Sequence, residues 1–147
     1  MRAVVQRVSA GAVEVDGREV ARIARGLVAL VGIEEGDSET DAAWLADKLA
    51  HLRIFEDAAG KMNLALGDVG GSLLLVPNFT VAGDARKGRR PSFDRAMRPE
   101  QAEPLFARLV AIAASHGVPV QTGVFRAHML VTLTNDGPVT IWLDSRA

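Results

Sequence analysis

At 147 residues, with 48% of them hydrophobic, the chain has enough apolar material for one compact domain over residues 1–147. It contains no cysteine, which excludes disulfides, thiol nucleophiles and thiolate metal sites, and it shows no membrane-length apolar run and no signal-peptide pattern, so we expect a cytoplasmic protein with no membrane partner. A net charge of −1 gives no general attraction to nucleic acid, so any such binding must be local.

The first third of the chain predicts three strands and a helix. Residues 13–16 alternate as in a half-buried strand, and Gly17 turns the chain into a partner strand at residues 19–23. Residues 27–33 form a short apolar run rich in β-branched residues, which predicts a strand buried on both faces. Apolar residues at spacings of three and four then predict a helix over residues 39–52.

The remaining chain predicts one more helix and the rest of the sheet. A second helix is expected between about residues 101 and 116, where Pro104 requires either a late start or an irregular first turn. Strand patterns occur at residues 72–76, 118–125, 129–134 and 139–144. Seven strands and two helices, joined largely by hairpins, predict a mostly antiparallel α+β domain.

The last two predicted strands meet at an unusual turn. Asn135-Asp136-Gly137 is typical of a tight hairpin, yet Pro138 follows at once and removes an amide donor from the returning strand. One interpretation is an edge strand, whose missing donor faces water. The other is a Gly-Pro peptide held in an unusual geometry for use. The local pattern alone favours the edge strand.

Familiar catalytic patterns are absent from the sequence, since it contains no HExxH, GxSxG, P-loop or GxGxxG segment. The three histidines, His51, His116 and His128, lie far apart along the chain and lack metal-ligand spacing. We therefore predict structural or solvated histidines, no metal site and no cofactor.

The strongest local charge feature is the segment RKGRR at residues 86–90. Such a run is commonly a solvated loop. Its flanking glycines would also let it shape itself around a phosphate backbone. Both interpretations stay open on the sequence alone.

Four segments, taken together, resemble the D-aminoacyl-tRNA deacylase family. They are MRAVVQRV at residues 1–8, LRIFEDAAGKMNL at 52–64, FTVAGDARKGRRPSF at 79–93 and NDGPVT at 135–140. They occur in order and span nearly the whole chain. The resemblance implies a deacylase-type fold and a homodimer with active sites at the interface. It also implies hydrolysis of the ester between a D-amino acid, or glycine, and the 3′-terminal adenosine of tRNA.

The resemblance also implies roles for the central residues. Gly137-Pro138 would be a cis peptide that reaches into the partner's active site and excludes L-aminoacyl groups. The backbone amide of Phe79 would face the developing oxyanion, while the substrate's own 2′-hydroxyl assists. Thr80 matches a family threonine, to which we assign a supporting role because no neighbouring base is evident.

Further residues match substrate contacts in the family. Arg7 matches an arginine near the Gly-Pro turn, where it would fix the turn's orientation. Phe125 and Met129, with Ala102 as a third, match residues that line an adenine pocket, although ordinary core positions are an open alternative. The basic segment would contact tRNA phosphates through Arg86, Lys87, Arg89 and Arg90.

The first motif departs from the family pattern. The family has Ser-Gln-x-Thr where this chain has Pro77-Asn78-Phe79-Thr80. Pro77 therefore lacks the serine's hydroxyl and backbone amide hydrogen, and Asn78, a predicted catalytic-site residue, has a shorter side chain than glutamine. The rate and substrate range are therefore open. Phe79 and the intact NDGPVT match the D-specific branch. The alternative is a non-catalytic RNA-binding module that uses RKGRR and has lost activity with the altered Pro77-Asn78.

Overall fold

The computed structural model describes all 147 residues and contains eight strands and two α-helices. The strands are β1 (Arg2–Val15), β2 (Arg18–Ile23), β3 (Gly26–Gly32), β4 (Phe55–Glu56), β5 (Met62–Leu64), β6 (Ser72–Pro77), β7 (Val120–Thr122) and β8 (Leu130–Asp144). The helices are α1 (Glu39–His51) and α2 (Pro99–Ser115), with short 3-10 helices at Leu66–Val69 and Phe79–Ala82. The predicted α+β class is confirmed.

Six strands form one mixed sheet in which β1 is the most connected strand. The sheet follows the order β2-β1-β3-β6-β7, and β8 pairs with β1 alone. All pairings of β1 are antiparallel, whereas β6 pairs in parallel with β3 and β7. Antiparallel pairing therefore predominates, as predicted. The remaining strands, β4 and β5, form a small separate hairpin.

Alternate residues of β3 and β6 enter two different hydrophobic cores. Leu27 and Leu73 belong to the larger core, which the two α-helices cover. Val28 and Leu74 belong to a smaller core that also contains Ala21 of β2. Both strands are thus buried on both faces, because each face has its own layer to cover it. The predicted fully buried strands are confirmed.

Both predicted helices are present, and α2 begins earlier than expected. α1 matches its predicted range closely, and the Asp41 carboxylate accepts the Ser38 N–H at 2.8 Å to cap its start. α2 begins at Pro99, a position where a missing amide is tolerated, and then continues through Pro104. Of the two alternatives for its start, the late one is wrong, because the helix begins at Pro99 and contains Pro104.

The predicted C-terminal hairpin is wrong. Residues 130–144 form the single strand β8, which runs antiparallel to β1 on both sides of the Asn-Asp-Gly segment. Between these two paired stretches, residues 136–139 bulge out of the strand opposite Arg7. The Asn135 side chain closes the base of the bulge, since its Oδ1 accepts the Val139 N–H at 2.7 Å and its Nδ2 donates to the Val139 carbonyl at 3.2 Å.

Three smaller differences concern the lengths of strands. β1 extends back to Arg2, so the N-terminal residues belong to the sheet. β7 spans only Val120–Thr122, which is shorter than predicted, and the β4–β5 hairpin was not predicted. Neither α-helix combines the length and the apolarity that a membrane crossing requires.

Candidate active site

A cavity of about 920 Å³ opens where the parallel strands β3 and β6 end. Of its 21 lining residues, 14 are hydrophobic, so the wall is mainly apolar. Six residues predicted from the sequence line it together: Asn78, Phe79, Thr80, Ala102, Phe125 and Met129. The predicted catalytic motif and the predicted adenine pocket therefore meet in one place.

The predicted catalytic motif forms a tight turn at the end of β6. The Asn78 N–H donates to the Val31 carbonyl at 2.8 Å and so continues the pairing with β3. The Asn78 side-chain oxygen accepts both the N–H of Thr80, at 3.2 Å, and its hydroxyl, at 2.5 Å. The Val81 N–H donates to the Asn78 carbonyl. Of the three consecutive N–H groups of Phe79, Thr80 and Val81, only that of Phe79 has no acceptor within the turn.

The same geometry bears on the chemistry of Thr80. Its hydroxyl donates to an amide oxygen, which is not a base and cannot activate it as a nucleophile. The short Asn78 side chain instead uses its oxygen to hold the turn. Asn78 therefore caps a 3-10 helix that lies directly at the cavity.

Two aromatic rings stand at the mouth of the cavity. The Phe79 side chain is 59% exposed, and its ring centroid lies 5.2 Å from that of Phe93 in an edge-to-face arrangement. Phe93 was not predicted as a site residue, although it lies in the quoted segment FTVAGDARKGRRPSF. Exposed aromatic rings at a cavity mouth offer stacking surface to a planar ligand.

The inner wall is apolar. Ala102 is buried in the larger core, and the half-buried Phe125 lies with its ring centroid 6.2 Å from that of Phe106. The Met129 side chain packs against the backbone of Gly123, where an added Cβ would be only 2.7 Å from the Met129 sulfur. All three residues also pack against a core, so their assignment to an adenine pocket stays a prediction.

Three cationic or titratable side chains also line the cavity and were not predicted: Arg98, Arg126 and His128. Arg126 adopts a positive φ of 65°, an uncommon conformation for a residue with a side chain. No carboxylate lines the cavity. Arg126 and His128 lie between the predicted residues Phe125 and Met129, and that neighbourhood was the one sequence signal for them. Arg98 comes from a distant segment that only the tertiary fold brings to the cavity.

The Gly137-Pro138 peptide is cis and lies in the exposed bulge of β8. Neither residue lines the cavity of its own chain. The bulge is held by Arg7, which is only 6% exposed. Its Nε donates to the Asp136 carbonyl at 2.9 Å, and its Nη1 donates to the Ile54 carbonyl at 2.7 Å. The buried guanidinium therefore ties the bulge to the segment before β4.

No side chain fits at Gly137. Its φ is +143°, a backbone conformation that other residues rarely adopt. An added Cβ would lie 2.7 Å from Val139 Cγ2, 2.8 Å from the Val139 nitrogen and 3.3 Å from Arg7 Nη2. The bulge therefore requires glycine on both conformational and steric grounds.

The basic segment forms the tip of an exposed loop. Asp84 and Ser92 exchange two backbone hydrogen bonds of 2.8 Å at its base. Arg86 forms a salt bridge with Asp84, and its hydrogen bonds lower the pKa of that carboxyl. Lys87, Arg89 and Arg90 are exposed at the tip. The four predicted phosphate contacts are thus not equivalent, since one of them already has an acidic partner.

Two of the three histidines lie close together in the fold. The rings of His51 and His116 have centroids 5.1 Å apart, in a T-shaped arrangement at the ends of the two α-helices. The prediction that the histidines lack metal-ligand spacing depends on their separation along the chain, and the packing of α1 against α2 removes that separation for His51 and His116. His128 is the one that lines the cavity.

Residues 4–144 match the family model described as D-Tyr-tRNA(Tyr) deacylase. A protein of Kosmotoga olearia named D-aminoacyl-tRNA deacylase is 59% identical over 146 residues, which cover 99% of this chain and 98% of the relative. A protein of Geobacter sulfurreducens with the same name is 55% identical over 147 residues, covering 100% of this chain and 97% of the relative.

Solved structures have the same fold. One, named c-Myc DNA Unwinding Element Binding Protein, superposes with a TM-score of 0.93 at 36% identity and covers 100% of both chains. Another, described as a probable eukaryotic D-amino acid tRNA deacylase, has a TM-score of 0.82 at 19% identity and covers 97% of both chains. At this identity the second likeness supports the fold alone, and it agrees with the expected deacylase-type fold.

Proposed function

Because the chain belongs to the D-Tyr-tRNA(Tyr) deacylase family, we propose that it hydrolyses the ester bond of D-aminoacyl-tRNA and of glycyl-tRNA, releasing the amino acid and the tRNA. The observation that carries the proposal is the single cavity shared by Asn78-Phe79-Thr80 and the apolar wall of Phe125 and Met129. Relatives named as deacylases, each more than half identical over almost the full length, support it. A tRNA substrate implies action in the cytoplasm.

In the proposed complex the 3′-terminal adenosine enters the apolar part of the cavity. Its base lies against Phe125 and Met129, with Ala102 beneath, since an apolar wall suits the face of a base. The ester carbonyl then reaches the turn after β6. The Phe79 N–H donates to the oxyanion that develops on this carbonyl, because Asn78 already occupies the next two N–H groups of the turn.

The chemistry needs little more from the protein. An aminoacyl ester is already activated, so a positioned water and one oxyanion donor account for the reaction. The 2′-hydroxyl of the substrate's own ribose assists the attacking water. The absence of a carboxylate from the lining, and the amide partner of the Thr80 hydroxyl, support hydrolysis without a protein nucleophile.

The chirality filter in this proposal comes from a second copy of the chain. Gly137 and Pro138 are exposed and do not line the described cavity of their own chain, so in this proposal they serve that cavity in another subunit. Their carbonyl oxygens would accept the substrate's ammonium group. The backbone of the bulge would occupy the space into which an L side chain projects, whereas a D side chain points away and glycine has none.

Features of β8 support a homodimer. This strand of 15 residues pairs only with β1, so its other edge is unpaired. Two large apolar side chains on it are more than half exposed, Leu130 at 56% and Trp142 at 53%. A long unpaired edge with exposed apolar residues is suited to pairing with another subunit. A two-fold axis would present each bulge to the partner's cavity reciprocally.

We also propose that the basic loop contacts phosphates of the tRNA acceptor end. The loop leaves the cavity at Phe79–Ala82 and returns to it at Phe93 and Met97, so its tip stands beside the cavity mouth. A tRNA whose terminal adenosine occupies the cavity would bring its next phosphates to this side. The cations without an acidic partner, Lys87, Arg89 and Arg90, would make the main contacts.

One assay tests the proposed activity and its alternative. Purified protein is incubated with D-tyrosyl-tRNA, L-tyrosyl-tRNA and glycyl-tRNA, and the release of amino acid is followed over time. Release from the D and glycyl substrates, with the L substrate intact, supports the proposal. Release chiefly from the L substrate contradicts the chirality filter. Binding of tRNA without any release would favour the non-catalytic RNA-binding module.

A further inference from the structure

We propose that Asp47, His51 and His116 form a binding site for a zinc ion on the surface of the helical layer. One ligand atom from each residue lies within 4.8 Å of the other two. None of the three residues lines the cavity, so the site is distinct from the one described above. Two imidazoles and one carboxylate are a donor set that suits zinc.

The spacing of the Asp47 and His51 ligand atoms fits one bound ion. Zinc holds nitrogen and oxygen ligands at about 2.0–2.1 Å, which places neighbouring ligands of a tetrahedral ion about 3.3 Å apart. His51 Nδ1 lies 3.0 Å from Asp47 Oδ1, close to that spacing, because the two residues are one helical turn apart on α1. One zinc ion can therefore be bound by these two atoms together.

His116 completes the set from the other helix. Its ring centroid lies 5.1 Å from that of His51, with the two planes at 89°. All three side chains are exposed, so small rotations about their χ angles can bring the third ligand atom to the ion. Water from the solvent provides the fourth ligand.

The position in the fold favours a cation. His51 is the last residue of α1, and His116 directly follows the last residue of α2. The C-terminal end of a helix carries a partial negative charge, and two such ends meet here. The carboxylate of Asp47 adds a full negative charge.

Zinc at this site would join the C-terminal ends of the two helices that cover the larger core. An ion that binds the folded chain and not the unfolded one raises stability with the logarithm of its concentration. The role we infer is therefore structural. It predicts a higher unfolding temperature in zinc, with unchanged hydrolysis of D-tyrosyl-tRNA.

The test is titration of the full chain with zinc chloride by calorimetry, together with thermal unfolding across zinc concentrations. The wild-type chain should bind one zinc ion. His51→Ala and His116→Ala should each weaken binding by more than about tenfold and abolish the thermal shift. His128→Ala is the matched control, since it removes the remaining histidine, and it should bind zinc like the wild type.

Several outcomes would overturn the proposal. They are no binding by the wild type, binding that survives both helix substitutions, and equal loss in the His128→Ala control. Because the three ligands are exposed, the variants should fold, which circular dichroism checks. As a second readout, cobalt chloride should give visible absorption bands with the wild type and not with His116→Ala. Wild-type bands in that variant would also contradict the site.

Discussion

Replacing Gly137 with alanine should disable the chirality filter. The new Cβ would lie 2.7 Å from Val139 Cγ2 and 2.8 Å from the Val139 nitrogen, distances that force the bulge to shift. The positive φ adds strain for any residue with a side chain. The close contacts and this strain together should lower the free energy of unfolding by about 1–3 kcal/mol. A misplacement of about 1 Å in a site can cost about 10²-fold in rate, so hydrolysis of D-tyrosyl-tRNA should fall by that order.

Gly17→Ala is the matched control for this variant. Gly17 also has a positive φ, of +76°, but nothing lies within 4 Å of the Cβ position, and it sits in the turn between β1 and β2. It should cost about 1 kcal/mol through the backbone alone and leave hydrolysis unchanged. Urea unfolding gives the stability of both variants, and single-turnover assays with D- and L-tyrosyl-tRNA give rate and selectivity.

Mixing two inactive variants tests whether the bulge acts across the dimer. Phe79→Pro removes the proposed oxyanion donor at the first helical position, where proline is tolerated. In a mixed dimer with Gly137→Ala, one cavity would combine an intact Phe79 with an intact Gly137, and activity should return. No recovery would refute action in trans. Wild-type rate and selectivity in Gly137→Ala alone would refute any role of the bulge.

Four other predictions concern the cavity and its surroundings. Arg7→Met retains a long buried side chain but leaves the Asp136 and Ile54 carbonyls without a donor, so the free energy of unfolding measured in urea should drop by about 1–3 kcal/mol, and discrimination between D and L substrates should become poorer. Wild-type values for both quantities would contradict the proposal that Arg7 holds the bulge. Thr80→Val should slow hydrolysis by less than about tenfold, the value of one hydrogen bond, whereas a loss of several orders of magnitude would indicate a nucleophile. His128→Gln should retain most activity at neutral pH. If the variant is inactive and the pH–rate profile of the wild type follows a single ionisation, His128 would instead be a general base. Alanine at all four cations of RKGRR should weaken tRNA binding and reduce the slope of log K against log salt concentration by up to about 0.7–0.9 per lost phosphate contact. Arg86→Ala alone should change this slope less than Arg89→Ala, because Asp84 already pairs with Arg86. An unchanged slope would mean that the loop is only a solvated surface.

The parts of the fold that were predicted are those whose signal is contained in the segment itself. The apolar run at residues 27–33 became β3, because a short β-branched run has few alternatives once each face of the strand has its own layer to cover it. The periodicity and capping residues of α1 set both of its ends within one residue. These signals need no information about distant segments.

The C-terminal hairpin shows where such local signals fail. Asn135-Asp136-Gly137 has the chemistry of a tight turn, and the structure contains a tight excursion there. Whether the chain then reverses or continues depends on the pairing partner. That partner is β1, which lies more than a hundred residues away, and β1 binds β8 on both sides of the excursion. Local turn chemistry cannot tell a bulge from a hairpin.

The candidate site divides in the same way. Residues that the family resemblance supplied, such as Phe79 and Met129, line one cavity. Arg126 and His128 were missed although they lie between the predicted Phe125 and Met129. Arg98 was missed because it belongs to a distant segment that only the tertiary fold brings to the cavity. The pairing of His51 with His116 was missed for the same reason, since it depends on the packing of two helices.

The pairing of β1 with β8 also has a consequence for how the protein folds. Arg2 is opposite Asp144 and Glu14 is opposite Leu130, so the most extensive pairing in the sheet closes nearly the whole chain into a loop. Contacts between residues so distant in sequence form slowly, because closing the long loop between them costs chain entropy before the contacts can stabilise the fold. On the ribosome, β1 would emerge early and wait for the last strand to be made. During that interval its edge, and the core face beneath β8, would be open to chaperones and to other chains.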